Sequence, residues 1–124
     1  MIFTDAELEY LRPGPTRDRL ARIATVGKDG IPHVCPVGWR LDLDAGVMEI
    51  GGHGMERSKK FRDVLRTGRA AVVIDDVLAP WVPRGIEIRG RAEAVEGPEP
   101  FIRVHPGFVT SWGIEDRRNT RTIS

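Results

Sequence analysis

Cysteine is almost absent from this sequence. Cys35 stands alone, so no disulfide can form within the chain and no thiolate metal site can be assembled. Histidine is sparse as well, with three residues and no carboxylates clustered beside them, which argues against a metal centre. No apolar run approaches the ~20 residues that a membrane-spanning helix needs. The start, Met1-Ile2-Phe3-Thr4-Asp5, has neither the basic opening nor the apolar core of a secretory signal. The expectation is a cytoplasmic protein without a membrane span. Charge of one sign is also lacking: 19 basic and 18 acidic residues leave a net +1. With no basic patch interleaved with aromatics, a nucleic-acid partner is disfavoured.

What is present has the composition of an ordinary soluble domain, 40% hydrophobic and 30% charged. A length of 124 residues predicts one domain, 1–124. A chain of this size buries about two-thirds of its unfolded surface. An open ligand cleft would lower that fraction, which favours a partner subunit.

Thr4-Asp5-Ala6-Glu7 fits a capping box and predicts a short helix through Leu8 and Leu11, stopped by Pro13-Gly14-Pro15. Strands follow over Arg19 to Val26, Ile31 to Leu41 and Val47 to Ile50, with turns at Lys28-Asp29-Gly30 and Asp42 to Gly46. Phe61, Val64 and Leu65 are spaced for a helix over Glu56 to Thr67, with Gly68 as its C-cap. Arg69 to Asp75 is a nearly continuous apolar run, and Gly85 to Val95 alternates apolar and charged residues as a half-exposed strand does. A proline-rich loop, Leu78 to Arg84, lies between them. Phe101 to Val104 and Phe108 to Trp112 read as two strands broken at His105-Pro106-Gly107, and the polar segment 115–124 reads as a flexible tail. The sum is about six strands, mostly antiparallel. Closing such a meander removes its exposed edges, so a small barrel is expected.

The stretch richest in chemistry is Gly51-Gly52-His53-Gly54-Met55-Glu56-Arg57-Ser58-Lys59-Lys60. Here a strand ends in glycines and a helix opens with a hydroxyl and two ammonium groups in its first turn. Helix N-termini attract anions, and glycines let a flat ring approach the backbone. Read alone, Lys59 and Lys60 fit the solvated face of an amphipathic helix equally well. The chain has only three lysines against sixteen arginines, and placing two where cations oppose the helix dipole favours a phosphate site.

Several segments together resemble the pyridoxamine 5′-phosphate oxidase-like superfamily of split barrels, and within it the branch dependent on coenzyme F420. They are Arg22 to Val26 with Asp29 to Val34, Pro36-Val37-Gly38-Trp39, Ser58 to Asp63, Val73 to Val77, Pro80 to Glu93, and Ile102 to Pro106 with Val109 to Ile114. The resemblance implies a mainly β, six-stranded antiparallel split β-barrel. It also implies a homodimer with cofactor sites at the subunit interface. Residues matching Ser58, Lys59 and Lys60 hold the cofactor phosphate in that family. The strand matching Val34, Cys35, Pro36 and Val37 lies along the ring, mostly through main-chain groups, and Ile50, Gly51 and Gly52 edge the same ring. The aromatic matching Trp112 sits near the pocket, often from the other subunit. In flavin oxidases of the superfamily an arginine often stands where Cys35 is found. The substrate-binding elements of true pyridoxamine-phosphate oxidases have no counterpart before Ser124, so vitamin B6 oxidation is not expected.

The resulting expectation is an oxidoreductase transferring hydride between reduced F420, a deazaflavin, and a small organic acceptor. Two alternatives remain. One is an FMN-dependent enzyme of the same fold, and the other is a non-catalytic binder of flavin, F420 or haem. His53, beside the proposed phosphate, is a candidate proton donor. His33 and His105 read as structural residues, and Cys35 as a packing residue. Trp81, set among prolines, reads as an interface anchor or a lid over the ring.

Overall fold

A computed structural model describes residues 2–16 and 19–124. Helix α1 (Asp5–Leu11) is closed at its start by the expected box: the Thr4 hydroxyl accepts from the Glu7 amide, and the Glu7 side chain accepts from the Thr4 amide. Eight strands follow among the described residues: β1 (Ala21–Val26), β2 (Pro32–Val37), β3 (Arg40–Asp42), β4 (Val47–Ile50), β5 (Arg69–Leu78), β6 (Val82–Val95), β7 (Phe101–Trp112) and β8 (Asn119–Thr122). Helix α2 (Lys59–Thr67) lies between β4 and β5, capped by the Ser58 hydroxyl at one end and by left-handed Gly68 at the other.

All strand pairs are antiparallel, and the hydrogen-bonded order is β2-β1-β5-β6-β7-β4-β3, with β8 added on β7. The two ends of this path, β2 and β3, are joined in sequence by Gly38 and Trp39 alone. Two residues span roughly 10 Å at most, so the sheet must curl round until its ends nearly meet. The result is a barrel with one unpaired seam, as the split-barrel expectation requires. β2, on one side of that seam, carries Pro32 and Pro36, residues that an edge strand tolerates because it has no second ladder to supply.

The core is built from inward residues of six strands and both α-helices, α1 supplying Tyr10 and Leu11 and β2 supplying Val37. It includes Ile23, Met48, Ile50, Val72, Ile74, Ile86, Ile88, Ile102 and Val104, with Phe61 and Val64 of α2 closing one side. Their alternation with outward polar residues is the period-2 pattern of a half-exposed sheet.

Three expectations are corrected. The strand predicted over Ile31 to Leu41 divides into β2 and β3 at the seam. The break predicted at His105-Pro106-Gly107 is a bulge within one continuous strand: Arg89 pairs with Phe108 and Gly90 with Pro106, leaving Gly107 as the extra residue. An extra residue is needed because Val104 and Val109 both point inward although they are five positions apart. Pro106 faces neither β4 nor β8, which pair with β7 at 102–104 and 108–111, and its ladder partner is Gly90 of β6 at the bulge. The predicted flexible tail contains β8, fixed by Arg121, whose guanidinium reaches the buried Glu7 carboxylate and the Ile2 carbonyl. The described residues form eight strands where about six were expected.

The bulge makes Gly90 irreplaceable. A Cβ there would sit 2.0 Å from the His105 carbonyl oxygen and 2.8 Å from the Gly107 nitrogen, both backbone atoms that cannot swing away. Gly90→Ala is expected to destabilise the protein by about 3 kcal/mol, read as a lowered urea midpoint. An unchanged midpoint would show that the β6–β7 ladder has slack.

Candidate active site

Alternation along β2 decides which of its residues can meet a ligand. Val34 and Pro36 point outward, with Val34 64% exposed, whereas Val37 is buried and Cys35 packs against the core. Cys35 and Val37 therefore offer main-chain groups only. The same holds for Ile50, which is wholly buried. Gly51 and Gly52 are exposed, and a Cβ at Gly51 would meet nothing within 4 Å. They line a cleft of about 730 Å³ together with Trp39, Arg40, Glu49 and His53.

The start of α2 lies against the far end of the β1–β2 hairpin. The Thr25 hydroxyl donates to Asp63 at 2.8 Å, and Lys59 Nζ donates to both oxygens of that carboxylate, at 2.9 and 3.1 Å. Arg66 approaches Asp63 at 3.6 Å and donates to the Val26 carbonyl. Asp63 is only 5% exposed. Burial pushes its carboxyl upward, but the bonds from Lys59 and Thr25 and the nearby cations outweigh that and hold it below its ordinary value. Lys59 is thus committed to a buried partner. Lys60, next in sequence and turned about 100° round the helix, is half-buried and pairs with no described residue. The Ser58 hydroxyl donates to the Met55 carbonyl at 2.7 Å and accepts from the Phe61 amide at 3.3 Å. Its one proton is used within the chain.

A larger cleft, about 920 Å³, opens on the outer face of β1, β5, β6 and β7. Cross-strand register ties it to β2: Val34 faces Ala24, Ala24 faces Ala71, Ala71 faces Arg89 and Arg89 faces Phe108. Ala24 and Ala71 give this row a floor without long side chains. Arg69, Arg89 and Arg91 line the cleft, and the Arg89 guanidinium lies 4.0 Å from the Phe108 ring centroid. Sequence reading missed these residues. Their one local signal was the glycine within Arg89-Gly90-Arg91, which marks a bulge.

Both tryptophans proposed for the site stand elsewhere in this chain. Trp81, at the tip of the β5–β6 hairpin, is 75% exposed beside exposed Leu78 and Val82. Seven residues of β5 separate Ala71 from Leu78, about 23 Å at the usual rise per residue. Trp112 packs over Gly85, with the Arg118 guanidinium 5.5 Å from its ring centroid. His53 is exposed in the glycine turn after β4 and does not line the larger cleft. One chain therefore brings β2 and the larger cleft together, places Gly51, Gly52 and His53 in the smaller cleft, and leaves Trp81 and Trp112 out of both. Among the described residues no cluster of histidine, cysteine and carboxylates could hold a metal, and no helix is long and apolar enough to cross a membrane.

A family model described as pyridoxamine 5′-phosphate oxidase matches residues 6–112. The 5a,11a-dehydrotetracycline/5a,11a-dehydrooxytetracycline reductase of Streptomyces rimosus is 39% identical over 131 aligned positions, covering 97% of this chain and 89% of that one. A haem-binding protein from Mycobacterium smegmatis superposes with a TM-score of 0.72 at 16% identity, over 98% of this chain and 60% of its own. This chain thus spans less than two-thirds of that protein. An F420 reductase superposes at 0.59 with 20% identity, over 75% and 90% of the two chains. A FAD-binding protein from Mesorhizobium loti reaches 0.65 at 17%, over 88% and 94%. At such identities the solved structures share the fold alone.

Proposed function

This chain belongs to the pyridoxamine 5′-phosphate oxidase family, and from that premise we propose that it is a reductase using a phosphate-bearing deazaflavin, F420, to reduce a small unsaturated acceptor. The observation that carries the reading is the exposed apolar face of edge strand β2, ending beside a helix N-terminus whose Lys60 is unpartnered. A flat apolar ring needs such a strand, and its phosphate needs such a helix start. The open space at Gly51, which a Cβ would occupy, leaves room for the ring's edge. The relative 39% identical to this chain is named a reductase of dehydro compounds, which supports the direction of the chemistry.

When bound, the reduced cofactor supplies a hydride; the acceptor's double bond takes it at one carbon and a proton at the other, leaving product and oxidised cofactor. The chain's own contribution is to bind, orient and exclude water. Val34 and Pro36 carry the ring, with main-chain groups of Cys35, Val37 and Ile50 along it. Lys60 and the α2 amides take the phosphate, while Lys59 fixes the helix start through Asp63. A second copy completes the site. Trp81 is too far along β5 to reach its own cleft, so in this reading Trp81 and Trp112 serve the partner's site, as family resemblance implies for Trp112. His53 stays a candidate proton donor only if the partner's cofactor reaches its turn.

Fluorescence titration of the apo-protein with F420 and with FMN tests the reading. Tight F420 binding with weak FMN binding is expected. The reverse preference would assign the chain to FMN chemistry, and binding of haem alone would point to a non-catalytic carrier, an outcome that the fold shared with a haem-binding protein makes worth including.

A further inference from the structure

The 920 Å³ cleft has a charge pattern that the cofactor reading does not use. Three guanidiniums line it, Arg69, Arg89 and Arg91, and no carboxylate does. Arg69 and Arg91 face each other across β5 and β6, two register steps from the Ala71–Arg89 pair and so on the same face of the sheet. Arg89 and Arg91 have acidic neighbours outside the cleft, Glu87 at 3.7 Å and Glu93 at 3.5 Å. Glu93 is further shared with His105 and with Arg103 at 3.9 Å. The Arg69 side chain pairs with no carboxylate among the described residues. Like charges facing each other across a ladder repel, so Arg69, which faces Arg91 without a carboxylate of its own among the described residues, stays uncompensated until an anion enters.

Shape adds the second constraint. The floor is made of Ala24 and Ala71, with Gly90 and Gly107 on one side, and nothing longer than a methyl group stands up from it. Phe108 forms a wall with Arg89 stacked on it. A surface flattened in this way favours a flat ligand over a branched one, and a guanidinium stacked on an aromatic ring favours an aromatic or conjugated ligand edge.

We propose that this cleft is the acceptor site, and that the acceptor is a flat fused-ring molecule carrying a carboxylate or an acidic enol, held at its charged edge by Arg69 and Arg91. The proposal rests on the reading that the redox ring lies along β2. The row from Val34 through Ala24 to Ala71 spans two strand spacings, roughly 10 Å, so an acceptor anchored here at its charged edge extends along the row until its reducible bond lies over the ring face, within the roughly 3.5 Å that hydride transfer needs.

The test uses 2-naphthoate and its neutral counterpart 2-naphthamide as probes, followed on the ¹⁵N-labelled protein by amide shifts. Expected are shifts at Ala24, Ala71, Gly90 and Gly107 with naphthoate, and affinity at least fivefold above that for naphthamide. The double variant Arg69→Ala/Arg91→Ala should lose at least tenfold in naphthoate affinity and leave naphthamide unchanged. Ala71→Phe, which fills the floor without touching charge, should block both probes and keeps the test open if the arginine variants misfold. Shifts confined to other regions, or equal affinity for both probes, would overturn the proposal. F420 titration of the same samples reports separately on the cofactor reading. Naphthoate bound in the cleft without F420 binding would keep the anion site and remove its role as acceptor site, whereas F420 binding without naphthoate at the cleft would sink the anion site alone.

Discussion

Glu7→Ala is expected to be among the most damaging single substitutions in this protein, lowering its stability by about 3 kcal/mol. Glu7 is wholly buried, and its carboxylate accepts from the Ser111 hydroxyl at 2.6 Å, from Arg121 at 3.0 Å and from the Thr4 amide at 3.0 Å. These bonds tie α1 to β7 and β8, so one side chain holds both termini on the barrel. Removing one partner of such a pair leaves the other desolvated and uncompensated, which typically costs about 3–5 kcal/mol; the partial exposure of Arg121 puts this case at the low end. Burial pushes the Glu7 carboxyl upward, but the bonds from Arg121, Ser111 and Thr4 outweigh it and hold the group below its ordinary 4.5. A depressed carboxyl contributes stability that is present above about 4.5 and lost as pH falls toward the folded value. The gap between wild type and Glu7→Ala in urea unfolding should therefore be full at pH 7 and shrink below pH 4.5. Glu7→Gln, which keeps the shape and accepts from one donor, should fall between them. A gap that does not change with pH would mean that packing, not the charge, carries the effect.

Glu7 also shows where the sequence stops being legible. Its capping-box role is local, three residues from Thr4, and can be read directly. Its second role depends on Ser111 and Arg121, more than a hundred residues away, and no local pattern announces it. For the same reason the polar segment 115–124 reads as a tail: Asn119-Thr120-Arg121-Thr122 has no apolar face, and what makes it a strand is its ladder with β7 and Arg121's distant partner. The bulge at Gly107 was visible as a break, because proline and glycine interrupt any strand pattern, but not as a bulge. That required the inward phase of Val104 and Val109 to be known. The strand β2 was legible as a strand, but not which of its residues face outward: alternation separates Val34 and Pro36 from Cys35 and Val37 only once the inward side is known. The arginine cleft was not legible, because Arg69 and Arg91 are brought together only by the β5–β6 register.

The two adjacent lysines should separate cleanly on mutation, although nothing in their sequence distinguishes them except Asp63 four residues after the first. Lys60→Ala is expected to weaken cofactor affinity roughly ten- to a hundredfold, since a charge-assisted contact to phosphate contributes about 1.5–3 kcal/mol. The apo-protein's melting temperature should stay where it was, because Lys60 pairs with no described residue. Lys59→Ala should do the opposite. Its ammonium gives two bonds to a carboxylate that is 5% exposed, and its loss leaves Asp63 with Thr25 and a more distant Arg66, so the apo-protein should melt roughly 5 °C lower. Affinity for F420 should change by less than about threefold, a shift worth under 0.7 kcal/mol. The sign with pH follows from the depressed Asp63 carboxyl: its pairing stabilises above the ordinary 3.8 and is lost as pH falls below it. The melting deficit of Lys59→Ala should then narrow in acid. Lys59→Arg, which restores a cation within reach of Asp63, should recover the melting temperature. The assignment fails if Lys59→Ala costs as much affinity as Lys60→Ala while the apo-protein melts unchanged, for both lysines would then face the phosphate and Asp63 would have to be held by Thr25 and Arg66 alone.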